Sequence, residues 1–351
     1  MIDTAKFGKG AIYAPHTPSD FHVREVAFAS PAFDWNVGYD VEQSLGIKIK
    51  NKDQGQSGSC GGQAWSYMGG VLHAVYGSNV YEEKSAKFIY AQTFLPGGGS
   101  AGITNSKLVQ AQGWGNEADT TSYLNGQPPT EEFMEQVGDI TAAARAGALK
   151  DICFSYATMD LNIDDIAQAV RDNHGVVIGI TGTNNGTWDS PIPVPPTSAD
   201  TGDALWYHWL YVGRAKMING VKYLGIQNSW GTSVGEDGWQ WISEAYVRSY
   251  VWNVWTFVYK QQSIIIPHTF TQQLIYGMNN AEVKFLQARL QQLGYFPSTV
   301  NTTGYFGPIT AKALVAWQVA NGIMDFANET DLTQIRFGQK SIDLMNKTLN
   351  S

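Results

Sequence analysis

The sequence has only two cysteines, Cys60 and Cys153, among its 351 residues. At most one disulfide is therefore available, and none if one thiol stays free, so the fold must stand without covalent cross-links. This usage fits a reducing compartment, although a large enough core also permits an exported protein. The six histidines show no pair at metal-ligand spacing, and the sequence contains no phosphate loop or dinucleotide fingerprint. We therefore expect no metal and no cofactor.

Positive charge and long apolar runs are also scarce. Lys and Arg number 23 against 31 Asp and Glu, which gives a net charge of -8. Because phosphate binding needs clustered Lys and Arg, this balance argues against a nucleic-acid partner. The apolar run 264–266 is far too short to span a membrane. The first thirty residues show no signal peptide, which leaves cytoplasmic production, release by cell lysis and a trimmed leader as alternatives.

Apolar and aromatic residues, in contrast, are plentiful. They make up 43% and 13% of the chain, which is ample material for a packed core. The length favours two domains over one. Helical patterns dominate one half of the larger region, at 61–76, 82–95, 106–112 and 131–146, with a short helix at 162–170. Strand patterns dominate the other half, at 176–180, 205–212, 221–227, 239–242 and 252–259.

A thiol stands at the start of the first predicted helix. The Gly- and Ser-rich segment before Cys60 predicts a loop, and the apolar spacing behind it predicts a helix. The N-terminus of a helix stabilises an anion, and the thiolate is the reactive form of cysteine. Cys60 is therefore a candidate nucleophile. Taken alone, a free cysteine is more often a small buried residue.

Two downstream stretches accompany this cysteine. Residues 206–213 read Trp-Tyr-His-Trp-Leu-Tyr-Val-Gly and contain His208, and residues 227–232 read Gln-Asn-Ser-Trp-Gly-Thr and contain Asn228. Gln54 precedes Cys60 by six residues. Together these pieces resemble papain-like cysteine peptidases, in which a Gln, the nucleophilic Cys, a His on a strand and an Asn-Ser-Trp-Gly segment come in this order. The spacing from Cys to His is close to the roughly 130–150 residues typical of the papain group, and Asn228 lies somewhat beyond it.

The resemblance implies an α+β fold with a helical lobe, a sheet or barrel lobe, and the site in the cleft between them. It assigns Cys60 as nucleophile, His208 as the imidazolium that lowers the thiol pKa and acts as general acid, and Asn228 as the residue that orients the imidazole. Gln54 would donate to the oxyanion. Trp230 would shield the bond between His208 and Asn228. The proline-rich excursion 183–202 is expected to wall the cleft.

The resemblance also points to residues that would bind the substrate. In papain-like enzymes a Gly-Gly edge binds the substrate backbone, so Gly98 and Gly99 are candidates for this contact, with a plain turn as the alternative. Trp209 comes directly after His208, where the family commonly has a small residue, so we expect its indole to fill the pocket for large side chains, unless it turns into the core. Ser57 replaces a family cysteine, so that disulfide is absent. Cys153 is expected to be a buried core thiol.

The chain after 260 changes character. Its pattern, Val283-x-x-Leu286-Gln287-x-x-Leu290-x-x-Leu293-Gly294-Tyr295 and then Gly304-Tyr305-Phe306-Gly307-x-x-Thr310-x-x-Ala313-Leu314-x-x-Trp317-Gln318, resembles a peptidoglycan-binding three-helix domain. The alternative is a small helical bundle with another partner. We predict an N-terminal arm at 1–30, a peptidase domain at 31–260, a linker at 261–277 and a peptidoglycan-binding domain at 278–351. The arm would lie on the domain surface, near the cleft as one option, and the alternative is an unstructured tail.

Together these patterns predict a cysteine peptidase directed to bacterial cell wall, acting in the wall or outside the cell. Its substrate would be either protein or the peptide part of peptidoglycan. The alternative is a wall-binding or structural protein on a papain-like scaffold that no longer turns over.

Overall fold

The computed structural model describes residues 7–14, 32–151, 154–200, 202, 205–259, 268–293, 295–297, 300, 302–324 and 331–347. The chain divides into two compact units, Met1–Tyr259 and Lys260–Ser351. We call them unit 1 and unit 2. Cys153, predicted to be a buried thiol, lies outside the described residues.

The first half of unit 1 is mainly helical, as the sequence patterns predict. Its helices are α1 Val41–Leu45, α2 Cys60–His73, α3 Ala86–Thr93, α4 Gly102–Gln112, α5 Glu131–Met134 and α6 Ala142–Ala148. The single helix predicted over 131–146 is wrong, because the chain forms the two short helices α5 and α6 there. Thr130 and Thr141 each cap a separate helix by accepting a backbone N–H, and Gly138 lies between them.

Helix α2 is the buried centre of unit 1. Thirteen of its residues are buried, and two glycines in its interior allow close neighbours. A Cβ atom on Gly69 would lie 2.3 Å from Cδ1 of Trp114, and one on Gly70 would lie 2.6 Å from Cε2 of Tyr81. The cost of placing glycine inside a helix, roughly 1 kcal/mol each, is offset by the packing of these two rings.

The second half is built around an antiparallel sheet of seven strands. Its strands are β2 Tyr39–Asp40, β4 Phe154–Thr158, β5 Val176–Thr183, β6 Leu205–Ile218, β7 Val221–Gln227, β8 Trp239–Ser243 and β9 Val251–Tyr259, while β1 Ala11–Ile12 and β3 Ser100–Ala101 form a separate pair. The order in the sheet is β4-β9-β5-β6-β7-β8, with β2 paired to β6. Helix α7 Ile163–Asp172 precedes β5, and α8 Glu244–Tyr250 precedes β9. All five predicted strands are confirmed, most of them with extended ends.

Strand β6 presents its two faces to different cores. Trp209 and Tyr211 pack into the cluster that contains the apolar side of α2. Leu210 and Val212 pack into the cluster that contains α7 and α8. This alternation is what a strand with both faces buried requires. It also brings the segment around His208 against the helical half.

Unit 2 is small and mainly helical. Its helices are α9 Ala281–Gln292, α10 Pro308–Ala320 and α11 Gln339–Lys347, and β10 Leu274–Ile275 pairs antiparallel with β11 Arg336–Phe337. The predicted apolar faces meet in one core with members from all three helices, including Leu286, Leu314 and Ile342. Among the described residues of the whole chain, no helix is both long and apolar enough to cross a membrane.

Candidate active site

Cys60 is the first residue of α2, as predicted, and it is fully buried. Burial raises the pKa of its thiol to about 12, because a thiolate loses solvation there, while the backbone N–H groups of Trp209, Gly10 and Gly61 act in the opposite direction. Since Trp209 is the residue directly after His208, its contact with the thiol brings the nucleophile candidate against the strand that carries the imidazole candidate.

His208 is held by a chain of side-chain amides. Its Nε2 lies 3.0 Å from Oδ1 of Asn228, and Nδ2 of Asn228 donates to Oε1 of Gln240 at 3.0 Å. The Gln240 amide in turn donates to the carbonyls of Trp188 and Ser190 at 3.0 and 2.9 Å. Every link of the chain therefore fixes the orientation of the next. The sequence patterns do not identify Gln240, because it stands in no motif.

The other ring nitrogen of His208 is not engaged in this chain. Within the described residues, its buried Nδ1 has no hydrogen-bond partner. Burial lowers the pKa of the imidazole to about 3, the hydrogen bond with Asn228 raises it, and the charge of Lys9 lowers it. The ring is therefore neutral in this structure, with one nitrogen fixed and the other available.

Aromatic rings enclose the imidazole. Trp230 stacks on His208, with ring centroids 4.8 Å apart and an interplanar angle of 30°. Trp206 and Trp188 pack on Trp230 at 5.5 and 5.9 Å. Trp188 comes from the excursion 183–202, which the sequence predicts to wall the cleft. His208 and Asn228 are both fully buried beside these rings.

Gln54 connects this arrangement to the loop before Cys60. Its Oε1 accepts the hydroxyl of Ser229 at 2.6 Å, and its backbone N–H donates to the Ser229 carbonyl at 2.9 Å. The side-chain amide donates to the carbonyls of Ser57 and Gly8 at 2.7 and 3.0 Å. Because Ser229 is the neighbour of Asn228, the structure brings Gln54 next to the other three predicted site residues.

The Gly8 carbonyl bound by Gln54 belongs to residues 7–14, the described part of the predicted N-terminal arm, and we use the word arm for these residues alone. Gly8 N–H donates to the Gly55 carbonyl at 2.8 Å, and Ser100 N–H donates to the Gly10 carbonyl at 2.8 Å. Strand β1 of the arm, Ala11–Ile12, then pairs in parallel with β3, Ser100–Ala101. The arm thus lies across the loop of Gln54 and over Cys60, which explains why the thiol is buried.

Two glycines allow the arm to come this close. A Cβ atom on Gly8 would lie 1.8 Å from the Ser57 carbonyl oxygen, and one on Gly10 would lie 2.0 Å from that of Gly58. Both obstacles are backbone atoms, which a rotamer change cannot move. Only glycine fits at these two positions of the arm.

The substrate contact predicted for Gly98 and Gly99 stays a prediction, but the structure shows which backbone donor in this segment binds the arm. Gly98 N–H donates to the Leu95 carbonyl and Gly99 N–H donates to the hydroxyl of Tyr90, so both donors are already used. Ser100 N–H is the donor that binds the arm. The two glycines have φ of +89° and +83°, so they shape the turn that presents Ser100.

Trp209 lies between the two halves of unit 1. Its Nε1 donates to the Ser100 carbonyl at 2.9 Å, and its ring packs at right angles to Trp65 with centroids 5.2 Å apart. A Cβ atom on Gly102 would lie 2.7 Å from its Cη2. The indole is buried in the core cluster that contains the apolar side of α2, which is the alternative that the sequence left open for this residue.

We find no cluster of three or more His, Cys, Asp or Glu arranged to hold a metal ion in the described part of the chain.

One family model matches unit 2. Residues 279–324 match the model described as a putative peptidoglycan binding domain, which covers α9 and α10. No curated protein sequence matches the chain.

Solved structures resemble unit 1 despite low sequence identity. Xylellain, a cysteine protease from Xylella fastidiosa, is 19% identical with a TM-score of 0.57, and the match covers 72% of this chain and 96% of that one. Procathepsin B S9 from Trypanosoma congolense is 15% identical with a TM-score of 0.52, covering 73% and 87%. Digestive procathepsin L 3 of Tenebrio molitor is 16% identical with a TM-score of 0.50, covering 72% and 76%. These likenesses show that unit 1 has the papain-like fold.

Proposed function

We propose that the chain is a cysteine peptidase in which Cys60 attacks a peptide carbonyl with the help of His208. The observation that carries this proposal is the state of the imidazole: Nε2 is fixed by Asn228, whereas buried Nδ1 has no hydrogen-bond partner in the described residues. The backbone N–H of Trp209, the next residue in the chain, contacts the Cys60 thiol. A neutral imidazole with one free nitrogen on the strand that meets the thiol is what a general base for this nucleophile needs.

The first half of the reaction forms a thioester. Nδ1 of His208 takes the thiol proton of Cys60, and the sulfur forms a bond to the carbonyl carbon of the substrate. The amide of Gln54 donates to the oxygen as negative charge develops on it, a contribution of about 3 kcal/mol in comparable sites. The C–N bond then breaks, and the leaving amine takes the proton from His208.

The second half restores the enzyme. His208 removes a proton from water, and the hydroxide oxygen attacks the thioester carbon. The C–S bond breaks, the acid product leaves, and the sulfur recovers its proton from the imidazole. Asn228 and Gln240 take no part in bond changes. They are positioning residues, because each acts through the next member of the amide chain.

We further propose that the structure represents the latent form of this enzyme. The arm occupies the Gln54 donor with the Gly8 carbonyl and excludes water from Cys60. Burial opposes both the thiolate and the imidazolium, so the reactive ion pair is disfavoured while the arm is in place. Displacing the arm would admit water and substrate together.

Unit 2 supports a peptidoglycan partner, because its match is to a family described by that binding. We propose that it holds the peptidase at bacterial cell wall, where either wall peptides or wall-associated proteins are the substrate. The predicted domain boundaries at 31–260, 261–277 and 278–351 are part of this proposal.

The alternative is a papain-like scaffold that binds wall material without turnover. Full burial of Cys60 and His208 favours it, because neither group is ionised in this state. The two functions differ once the arm has left the cleft, because only the peptidase then becomes reactive.

The experiment uses full-length chain carrying Gly8→Ala and Gly10→Ala, which we call the displaced-arm variant. The two added methyl groups would collide with the carbonyls of Ser57 and Gly58. This variant and its Cys60→Ala derivative are incubated with purified peptidoglycan and, separately, with a denatured protein, and the products are analysed by mass. We expect peptide-bond cleavage only when Cys60 is present. Cleavage by the Cys60→Ala derivative would reject the proposed nucleophile, and no cleavage by the folded displaced-arm variant would favour the idle scaffold.

A further inference from the structure

The arm shows how a peptide lies in the cleft. Hydrogen bonds hold its backbone from Gly8 to Ala14, the latter through a donation from Asn253 at 3.1 Å. The neighbouring walls are the loop before Cys60 on one side and Ser100 on the other. The residues that the arm carries therefore report which side chains each part of the cleft admits.

At two positions the cleft admits no side chain. The walls there are backbone carbonyls of Ser57 and Gly58, which would lie 1.8 and 2.0 Å from a Cβ atom on the arm. Gly99 closes the opposite side, since a Cβ atom on it would lie 2.4 Å from the Gly10 carbonyl oxygen. The walls are therefore fixed by backbone and not by adjustable side chains.

Between these positions the cleft admits a long side chain with an amino group. Nζ of Lys9 lies 3.2 Å from Oδ1 of Asn184 and 5.1 Å from the ring centroid of Trp206. An amide oxygen and an aromatic face both favour an ammonium group. Both contacts involve the ammonium group, so neither selects for the aliphatic part of the lysine side chain.

We propose that the cleft selects peptides of the pattern Gly-X-Gly, in which X carries a long side chain that ends in an amino group. The inference rests on the proposed peptidase function and adds its substrate class. The pattern reads the same in both chain directions, so it does not depend on whether a substrate enters with the polarity of the arm. Asn184 and Trp206 are then the residues that determine specificity at X.

The first test measures binding without catalysis. A labelled peptide with the sequence of residues 7–14 is titrated into the displaced-arm variant that also carries Cys60→Ala. We expect peptides with alanine in place of Gly8 or of Gly10 to bind about tenfold more weakly, which corresponds to about 1.4 kcal/mol, because the added methyl group is overpacked against fixed backbone atoms. A peptide with methionine in place of Lys9 should lose about threefold, because methionine keeps the length of the side chain and lacks the ammonium group. Equal binding by the alanine peptides would overturn the inference.

The second test measures hydrolysis. The displaced-arm variant with Cys60 intact is given a peptide library, and cleaved sequences are identified by mass. Enrichment of Gly-X-Gly with Lys at X supports the inference. Enrichment of Leu or Phe at the glycine positions would overturn it while leaving the proposed function standing. Glycine-dependent binding without cleavage of any peptide would instead reject the peptidase and retain the selectivity of the cleft.

Discussion

Two buried glutamines, one in each unit, make almost the same hydrogen bonds and serve different ends. Gln240 in unit 1 donates twice to backbone carbonyls and accepts from the Asn228 amide. Gln287 in unit 2 donates to the Tyr305 carbonyl and the Thr310 hydroxyl and accepts from Gly304 N–H. The first fixes a side chain that orients His208, whereas the second fixes a turn between two helices. We therefore expect similar local chemistry to have a functional consequence only where the partner belongs to the proposed site.

The largest effects on activity are expected at His208 and Asn228, which the hydrogen bonds of Gln240 hold in place. In the displaced-arm variant, we expect His208→Ala to lower kcat by more than the roughly 10²–10⁴-fold typical of a lost general base, because it also removes the partner of the thiol. Asn228→Ala should cost less, since the imidazole remains and only its orientation is lost. Steady-state kinetics on a soluble peptide measures both. Equal losses in two folded variants would contradict the roles proposed for these residues.

A smaller effect is expected from the glutamines themselves. Gln240→Leu in the displaced-arm variant should lower kcat about tenfold with KM little changed, and it should shift the pH profile, because the Asn228 amide loses its orientation. Gln287→Leu is the matched control, since it removes three similar hydrogen bonds from unit 2. It should lower the unfolding temperature of unit 2 and leave hydrolysis of a soluble peptide unchanged. If both substitutions affect only stability, Gln240 is a structural residue and the comparison fails.

The sequence patterns include Gln287 but not Gln240, and the difference has a physical reason. Gln287 lies within a short pattern of apolar and turn residues, so its neighbours along the chain identify it. Gln240 acts on Asn228 from another strand and is itself held by the carbonyls of Trp188 and Ser190. Such a chain of contacts joins three distant segments and leaves no local signature.

The same distinction holds for the rest of unit 1. The start of α2 at Cys60 and the central strands can be predicted from local patterns, and the papain-like fold from the resemblance. The break between α5 and α6 escapes prediction because the apolar spacing there resembles a single helix. Ser100, and not Gly99, donates its backbone N–H to the arm, because the Gly99 N–H already donates to the Tyr90 hydroxyl. No local pattern reveals that contact.

The arm shows the same limit most clearly. Gly8 and Gly10 have no distinguishing context in the sequence, and their importance appears only when Ser57 and Gly58 are placed against them. The predicted arm is held near the cleft by contacts between residues about fifty positions apart in the chain, which no local pattern reveals.

The measurement that tests the central claim most directly is the rate of alkylation of Cys60 as a function of pH. The unsubstituted chain and the displaced-arm variant are treated with iodoacetamide, and peptide mass mapping separates Cys60 from Cys153. Tyr13→Phe is the control, because it alters an exposed side chain of the arm without adding a methyl group against the walls.

Burial raises the pKa of the Cys60 thiol to about 12, so little thiolate exists in the unsubstituted chain at neutral pH, and the alkylation rate should keep rising with pH. Displacement of the arm restores solvent to the thiolate and to the imidazolium, which lowers the thiol pKa. We expect the displaced-arm variant to react at least about tenfold faster at about pH 7 and to reach its plateau at lower pH. Equal rates and equal pH profiles for the two folded proteins would contradict the claim that the arm holds a reactive cysteine in a latent state.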